Sequence, residues 1–88
     1  MSPSIMVFIM AGCSACEEFL PRLQRAARAK GLRLNVHDVN TRYGQYLADE
    51  HKIKATPTTI GRCSRGTIKK KVGGLRDADL NQFLAALP

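Results

Sequence analysis

Two cysteines three residues apart, Cys13 and Cys16, enclose Ser14 and Ala15. A pair at this spacing has three uses: it cycles between dithiol and disulfide, supplies half of a zinc site, or sits inert in a core. The residues around it discriminate. Ile5 to Met10 is a continuous apolar run, as expected of a central strand covered on both faces, and Ala11-Gly12 breaks it. Cys13 therefore stands where a strand passes into a helix. The thiolate is the reactive form of cysteine, and the unpaired N–H groups of a helix N-terminus stabilise negative charge there. Cys16 falls one turn deeper on the same face, near enough to bond to Cys13 and less exposed. On this reading Cys13 attacks and Cys16 resolves. Glu17 and Glu18 in the same turn oppose thiolate formation, so the lowering of the Cys13 pKa is expected to be moderate.

Zinc sites built on this spacing normally use two such pairs, or complete one pair with nearby Cys and His. Here the other candidates, Cys63, His37 and His51, are isolated in the sequence. No metal is therefore expected. Three cysteines are too few for a disulfide framework, and in a reducing compartment such thiols point to redox chemistry or metal binding more than to structural bridges. Cys63 reads as a small, semi-exposed residue near a strand end, and the two histidines as surface residues.

The elements that must hold the pair follow from the apolar spacing. Cys13-Ser14 opens a helix running to about Lys30, with Cys16, Phe19, Leu20, Leu23 and Ala27 on one buried stripe. Arg22, Arg25 and Arg28 lie mostly off that stripe and read as a solvated face, and Gly31 ends the helix. Alternation from Leu32 predicts a second strand through about Asp38, and strand–helix–strand at this spacing is a right-handed crossover with parallel strands. Asn40-Thr41 can cap a short helix to about Lys52 that buries Tyr43, Tyr46 and Leu47, with Gly44 weakening it. Ala55 to Ile60 and Thr67 to Val72, joined by Cys63-Ser64-Arg65-Gly66, read as a hairpin. Lys69, Lys70 and Lys71 then protect an edge strand. Gly73-Gly74 stops it, and Asp77 to Leu87 forms a last helix burying Leu80, Phe83, Leu84 and Leu87. The order β-α-β-α-β-β-α suits a four-stranded mixed sheet with three helices on its two faces.

From Ile5 onward the chain resembles the thioredoxin/glutaredoxin-like family. Four features carry the resemblance in order: Cys13-Ser14-Ala15-Cys16 after the first core strand, Pro21 five residues on, Ala55-Thr56-Pro57-Thr58, and Val72-Gly73-Gly74 before the final helix. The resemblance implies an α/β thioredoxin-like fold and a thiol–disulfide oxidoreductase that reduces protein disulfides. It implies that Pro57 is cis and packs against Cys13 and Cys16, with the Thr56 backbone free to pair with an extended substrate. Gly12, Ser14, Ala15, Thr56, Pro57, Gly73 and Gly74 become the expected substrate-binding residues. The chain departs from the pattern at Gly12, where thioredoxins usually carry Trp, at Ser14-Ala15 in place of Gly-Pro, and at Val7 in place of a buried acid. Gly73-Gly74 followed by Asp77 resembles the glutathione site of glutaredoxins, but their Pro-Tyr and preceding Lys are absent and Met10 occupies the Lys region.

Eighty-eight residues are expected to form a single domain, 1–88. The thioredoxin N-terminal strand and helix are not seen, which makes the chain glutaredoxin-sized. Only Met-Ser-Pro-Ser precedes an apolar run too short to span a bilayer, so no signal peptide or membrane segment is expected and the location is read as cytoplasmic. Fourteen Lys and Arg against seven Asp and Glu give a net charge of +7, which reads first as a solvated basic surface and would also attract acidic partner proteins or nucleic acid. With no Trp, and aromatics not interleaved with the basic residues, the composition argues against nucleic acid. A monomer is expected. It needs no metal or organic cofactor and takes electrons from a thioredoxin-reductase-type flavoprotein or from glutathione. The alternatives are a non-catalytic thioredoxin-like binding module using the basic surface, a glutathione-dependent glutaredoxin, and a bridging iron–sulfur cluster.

Overall fold

A computed structural model describes residues 3–63 and 65–87. The elements are β1 (Ser4–Ile9), α1 (Ser14–Ala29), β2 (Arg33–Asp38), α2 (Arg42–Glu50), β3 (Thr58–Cys63), β4 (Gly66–Val72) and α3 (Asp77–Ala85). This is the order read from the sequence. The strands form a four-stranded sheet in the order β2-β1-β3-β4, with β1 and β2 parallel and the other neighbours antiparallel. Ser64, in the expected hairpin turn, lies outside the described residues.

β1 is central, and its alternation of faces divides the core. Ile5 and Val7 point to α1 and α3, where they meet Phe19, Leu23, Ala27, Leu80, Phe83 and Leu84. Met6 and Phe8 point to the other face, against Ala48 of α2 and Ile60 of β3. Phe8, Phe19 and Phe83 are fully buried, each contributing about 1.5–3 kcal/mol relative to an exposed ring.

Two expectations fail on α2. Tyr43 and Tyr46 are 64% and 58% exposed, and the helix instead turns Gly44 and Ala48 inward. Gly44 is the reason. A Cβ built there would overlap the Asp38 carbonyl oxygen, so this face of the helix lies directly on the chain leaving β2. With its smallest residues underneath, α2 carries both tyrosines on the outside. Gly44 is thus the packing contact of the helix, whatever it costs in helix propensity. Its end at Glu50 comes slightly before the expected Lys52.

Arg22 is likewise not a solvated residue. It bonds Glu18 one turn back and Asp77 at the start of α3, at 2.8 and 2.9 Å, and lies 5.5 Å over the Phe19 ring. Arg25 and Arg28 are exposed as expected. His37 and His51, expected at the surface, are half-buried on either side of Phe8, with ring centroids 5.4 and 6.0 Å away.

Candidate active site

The parallel pairing of β1 with β2 and the antiparallel pairing with β3 put the end of β1 and the start of β3 at one end of the sheet. Three turns of backbone converge there. After Ile9 the chain must reverse direction into α1, and it does so through Gly12, whose φ of +80° is disfavoured for any residue with a side chain. The Cys13 N–H donates to the Met10 carbonyl at 3.2 Å and closes this turn. In the sequence Met10 stands out only as the end of the apolar run and the occupant of the glutaredoxin Lys region.

Cys13 is the N-cap of α1. Its extended backbone stops the helix, and its sulfur accepts the Cys16 N–H at 3.1 Å. A helix leaves its first N–H groups without intrahelical partners, so this sulfur occupies the place a capping oxygen usually fills. Cys13 and Cys16 are joined by a disulfide, with Cα atoms 5.2 Å apart. Their surroundings differ as expected from position: Cys13 is half-buried, whereas Cys16 is 3% exposed on the same helix as Phe19 and Leu23.

The second wall is the loop before β3. The Thr56–Pro57 peptide bond is cis. Pro57 is buried, and the Thr56 carbonyl oxygen lies 3.7 Å from the Cys13 sulfur. Thr58 holds this loop through its hydroxyl, which donates to the Ala55 carbonyl at 2.6 Å. The third wall is the end of β4. The Gly73 N–H donates to the Pro57 carbonyl at 2.7 Å, and the Gly74 backbone passes close to Phe19 on α1. Gly12, Ser14 and Ala15 adjoin the disulfide in the chain, Thr56 reaches the Cys13 sulfur across the fold, and Gly73 and Gly74 are tied to this end through Pro57 and Phe19. Gly12, Ser14, Ala15 and Gly74 are exposed, and Thr56 and Gly73 are half-buried.

Charge is sparse at this end. Glu17 and Glu18 are exposed, and the two-pronged hydrogen bond from Arg22 holds the Glu18 carboxyl below the usual carboxylate range. Val7 is wholly buried, and among the described residues the fully buried polar side chains are Thr58 and Thr59. His37, His51 and Cys63 are not part of the assembly. Both imidazoles are held below their ordinary value, first by burial. Cys63 ends β3 at the opposite end of the sheet, half-buried, with the Arg65 N–H 3.4 Å from its sulfur. Among the described residues no three His, Cys, Asp or Glu side chains converge as metal ligands, and no helix is long and apolar enough to cross a membrane.

Solved structures share this architecture. Thioredoxin from Fasciola hepatica superposes with a TM-score of 0.88 at 15% identity, over 99% of this chain and 82% of that one. Mitochondrial thioredoxin 3 from Saccharomyces cerevisiae, in its oxidised form, gives 0.85 at 22% identity over 98% and 79%. A structure addressing the thiol resolving mechanism of yeast mitochondrial 1-Cys peroxiredoxin via glutathione/thioredoxin systems gives 0.86 at 21% over 98% and 79%. No protein-family model and no curated relative matches the sequence. At these identities the likeness is one of fold: the chain has the thioredoxin-like fold.

Proposed function

We propose that this thioredoxin-fold chain is a thiol–disulfide oxidoreductase that reduces protein disulfides through Cys13 and Cys16. The observation that carries the reading is the asymmetry of the pair: one sulfur caps the helix at the surface and its partner is buried one turn deeper.

The chemistry follows from that asymmetry. The Cys13 thiolate attacks one sulfur of a substrate disulfide, forming a mixed disulfide and expelling the other substrate sulfur as a thiolate. Cys16, whose surroundings admit no outside disulfide, then attacks the Cys13 sulfur. The internal disulfide forms and the second substrate thiolate leaves. Two electrons pass from the pair to the substrate, and an external donor must return them. A thioredoxin-reductase-type flavoprotein or glutathione would serve, and the protein itself needs no metal or organic cofactor for the exchange. Around Cys13, the Thr56 backbone is suited to pairing with an extended substrate, while the missing N–H of Pro57 leaves that edge open.

The roles are tested by trapping. With Cys63 changed to Ser in both proteins, Cys16→Ser is expected to accumulate covalent complexes with disulfide-bearing proteins on non-reducing electrophoresis, and Cys13→Ser is not. Equal trapping by the two would reverse or erase the assignment. Trapping by neither, together with no reduction of insulin by the unaltered protein, would leave the non-catalytic binding module. Recovery of the dithiol with a thioredoxin reductase or with glutathione identifies the donor.

A further inference from the structure

We propose that the outer edge of β4 is a docking surface for an acidic, extended protein segment, which pairs with it as a fifth strand. The proposal is independent of the redox reading.

β4 ends the sheet order and pairs only with β3 among the described residues, so the backbone N–H and C=O groups of its other edge have no strand partner. Its lysines flank that edge on both faces. Lys69 and Lys71 line a cleft against α3 with Leu75, Gln82 and Phe83, and Asp79 is the one carboxylate that shares it. Lys70 points the other way, where its ammonium donates to the His51 and Lys52 carbonyls at 3.1 and 3.3 Å. Successive cations on alternating faces match the side-chain period of an incoming strand. A strand with carboxylates on the α3 face meets Lys69 and Lys71, while on the other face it meets a Lys70 ammonium already shared with two carbonyls.

The charge is local to this part of the chain. Residues 51–76 hold eight Lys and Arg and no Asp or Glu, while the rest of the chain has six cations against seven carboxylates. The whole net charge of +7 thus resides in the stretch that builds the hairpin and its flanks. Edge lysines exclude apolar strands, and the same lysines select an acidic one. A second copy of the chain does not fit, because it would set three lysines against three lysines. Nucleic acid fits poorly as well, since Phe83, the aromatic ring in the cleft, is 1% exposed and offers no face for a base to stack on. At its far end β4 runs into Gly73, which is bonded to Pro57 beside Cys13.

The experiment measures binding of a fluorescein-labelled peptide of alternating Glu and Thr by anisotropy, with amide chemical shifts mapped on the protein. Binding is expected to weaken as salt rises, to perturb the amides of β4, and to fall about tenfold or more in K69E/K71E. The same peptide with alternate backbone amides N-methylated keeps its charge but cannot complete a strand ladder, and it too should lose about tenfold. If K69E/K71E does not fold, K69Q/K71Q serves in its place and must show a smaller loss in the same direction. No binding at low salt, indifference to charge removal, or equal binding of the N-methylated peptide overturns the proposal. So does a single-stranded DNA oligomer of equal charge that binds where the peptide does not, or a dimer in sedimentation that covers the β4 amides. Insulin reduction is assayed separately, so loss of this proposal and loss of the redox reading are distinguishable.

Discussion

The Cys13 sulfur sits between opposing influences of different reach. Capping the first turn of α1 favours its thiolate, because the N–H of Cys16 points at it and the helix N-terminus carries partial positive charge. The Thr56 carbonyl, 3.7 Å away, accepts from a thiol but not from a thiolate, and Glu17 and Glu18 add nearby negative charge. The helix acts at shortest range, so in the reduced protein iodoacetamide should alkylate Cys13 with a half-maximal rate below pH about 8.5, the free-thiol value, and Cys16 far more slowly. A Cys13 profile at or above that value would show that the carbonyl and the glutamates win. A second residue makes a prediction of opposite character. Thr59 is wholly buried beside Val7, and its hydroxyl has no partner among the described residues. A buried hydroxyl without a hydrogen bond costs about 1–3 kcal/mol, so Thr59→Val should raise stability in urea unfolding by about 1 kcal/mol. Its neighbour Thr58 bonds the Ala55 carbonyl, and Thr58→Val should lower stability by about the same amount. Single residues were legible in the sequence where their partners are local. The cysteines are three apart and announce themselves, whereas Arg22 meets Asp77 fifty-five residues away, a contact that only the fold creates.

Elements were legible wherever one apolar stripe dominated. β1, α1 and α3 were read with their most buried residues correct, because Phe19 and Leu23 or Leu80 and Phe83 leave no competing face. But Met10 lies past the end of β1 and is 41% exposed, Leu20 is only half-buried, and α3 ends at Ala85, before Leu87. α2 was placed correctly and rotated wrongly. Tyr43, Tyr46 and Leu47 make a plausible helical stripe, and Gly44, Leu47 and Ala48 make another. Side-chain size favours the first, but the close passage of the Asp38 backbone requires the second. Gly44→Ala separates the two readings by sign. Helix propensity alone predicts a gain of up to about 1 kcal/mol for Ala over Gly. The overlap of its Cβ with the Asp38 carbonyl predicts instead a loss of about 2 kcal/mol or more, the range typical of forced backbone displacement in a core. Denaturant unfolding of the single variant decides it, and a stabilised Gly44→Ala would mean that α2 has room to lift from β2.

At the scale of the whole molecule, the first loss of stability on acidification is set on the face away from the cysteines. Phe8, at the centre of the sheet, is flanked by His37 from β2 and His51 from the end of α2, and Tyr43 closes over His37 at 5.9 Å. Neither imidazole faces a carboxylate strong enough to hold it charged. Burial lowers both from the ordinary value of 6.5. His51 then lowers His37 further, while Arg62 lowers His51, Glu50 opposes it by less, and Lys70 adds the smallest lowering. With folded pKa values below 6.5, the unfolded chain binds more protons wherever the two differ. The resulting stability is fully present above about pH 6.5 and is lost as pH falls through the folded values, after which the loss stops. Glu18 adds a separate loss in more acid solution, because its carboxyl is held below 4.5 in the fold. The melting temperature followed by circular dichroism should therefore decline as pH falls below about 7, flatten once both imidazoles are protonated in the fold, and decline again in more acid solution. The double variant His37→Gln, His51→Gln should remove the first decline and keep the second, since it leaves Glu18 and Arg22 untouched. Phe8 is packed between β1, β2 and α2, so the first decline should coincide with faster amide exchange on this face and unchanged exchange in α1. Loss of protection in α1 over the same pH interval would place the acid-sensitive contact at the cysteines instead.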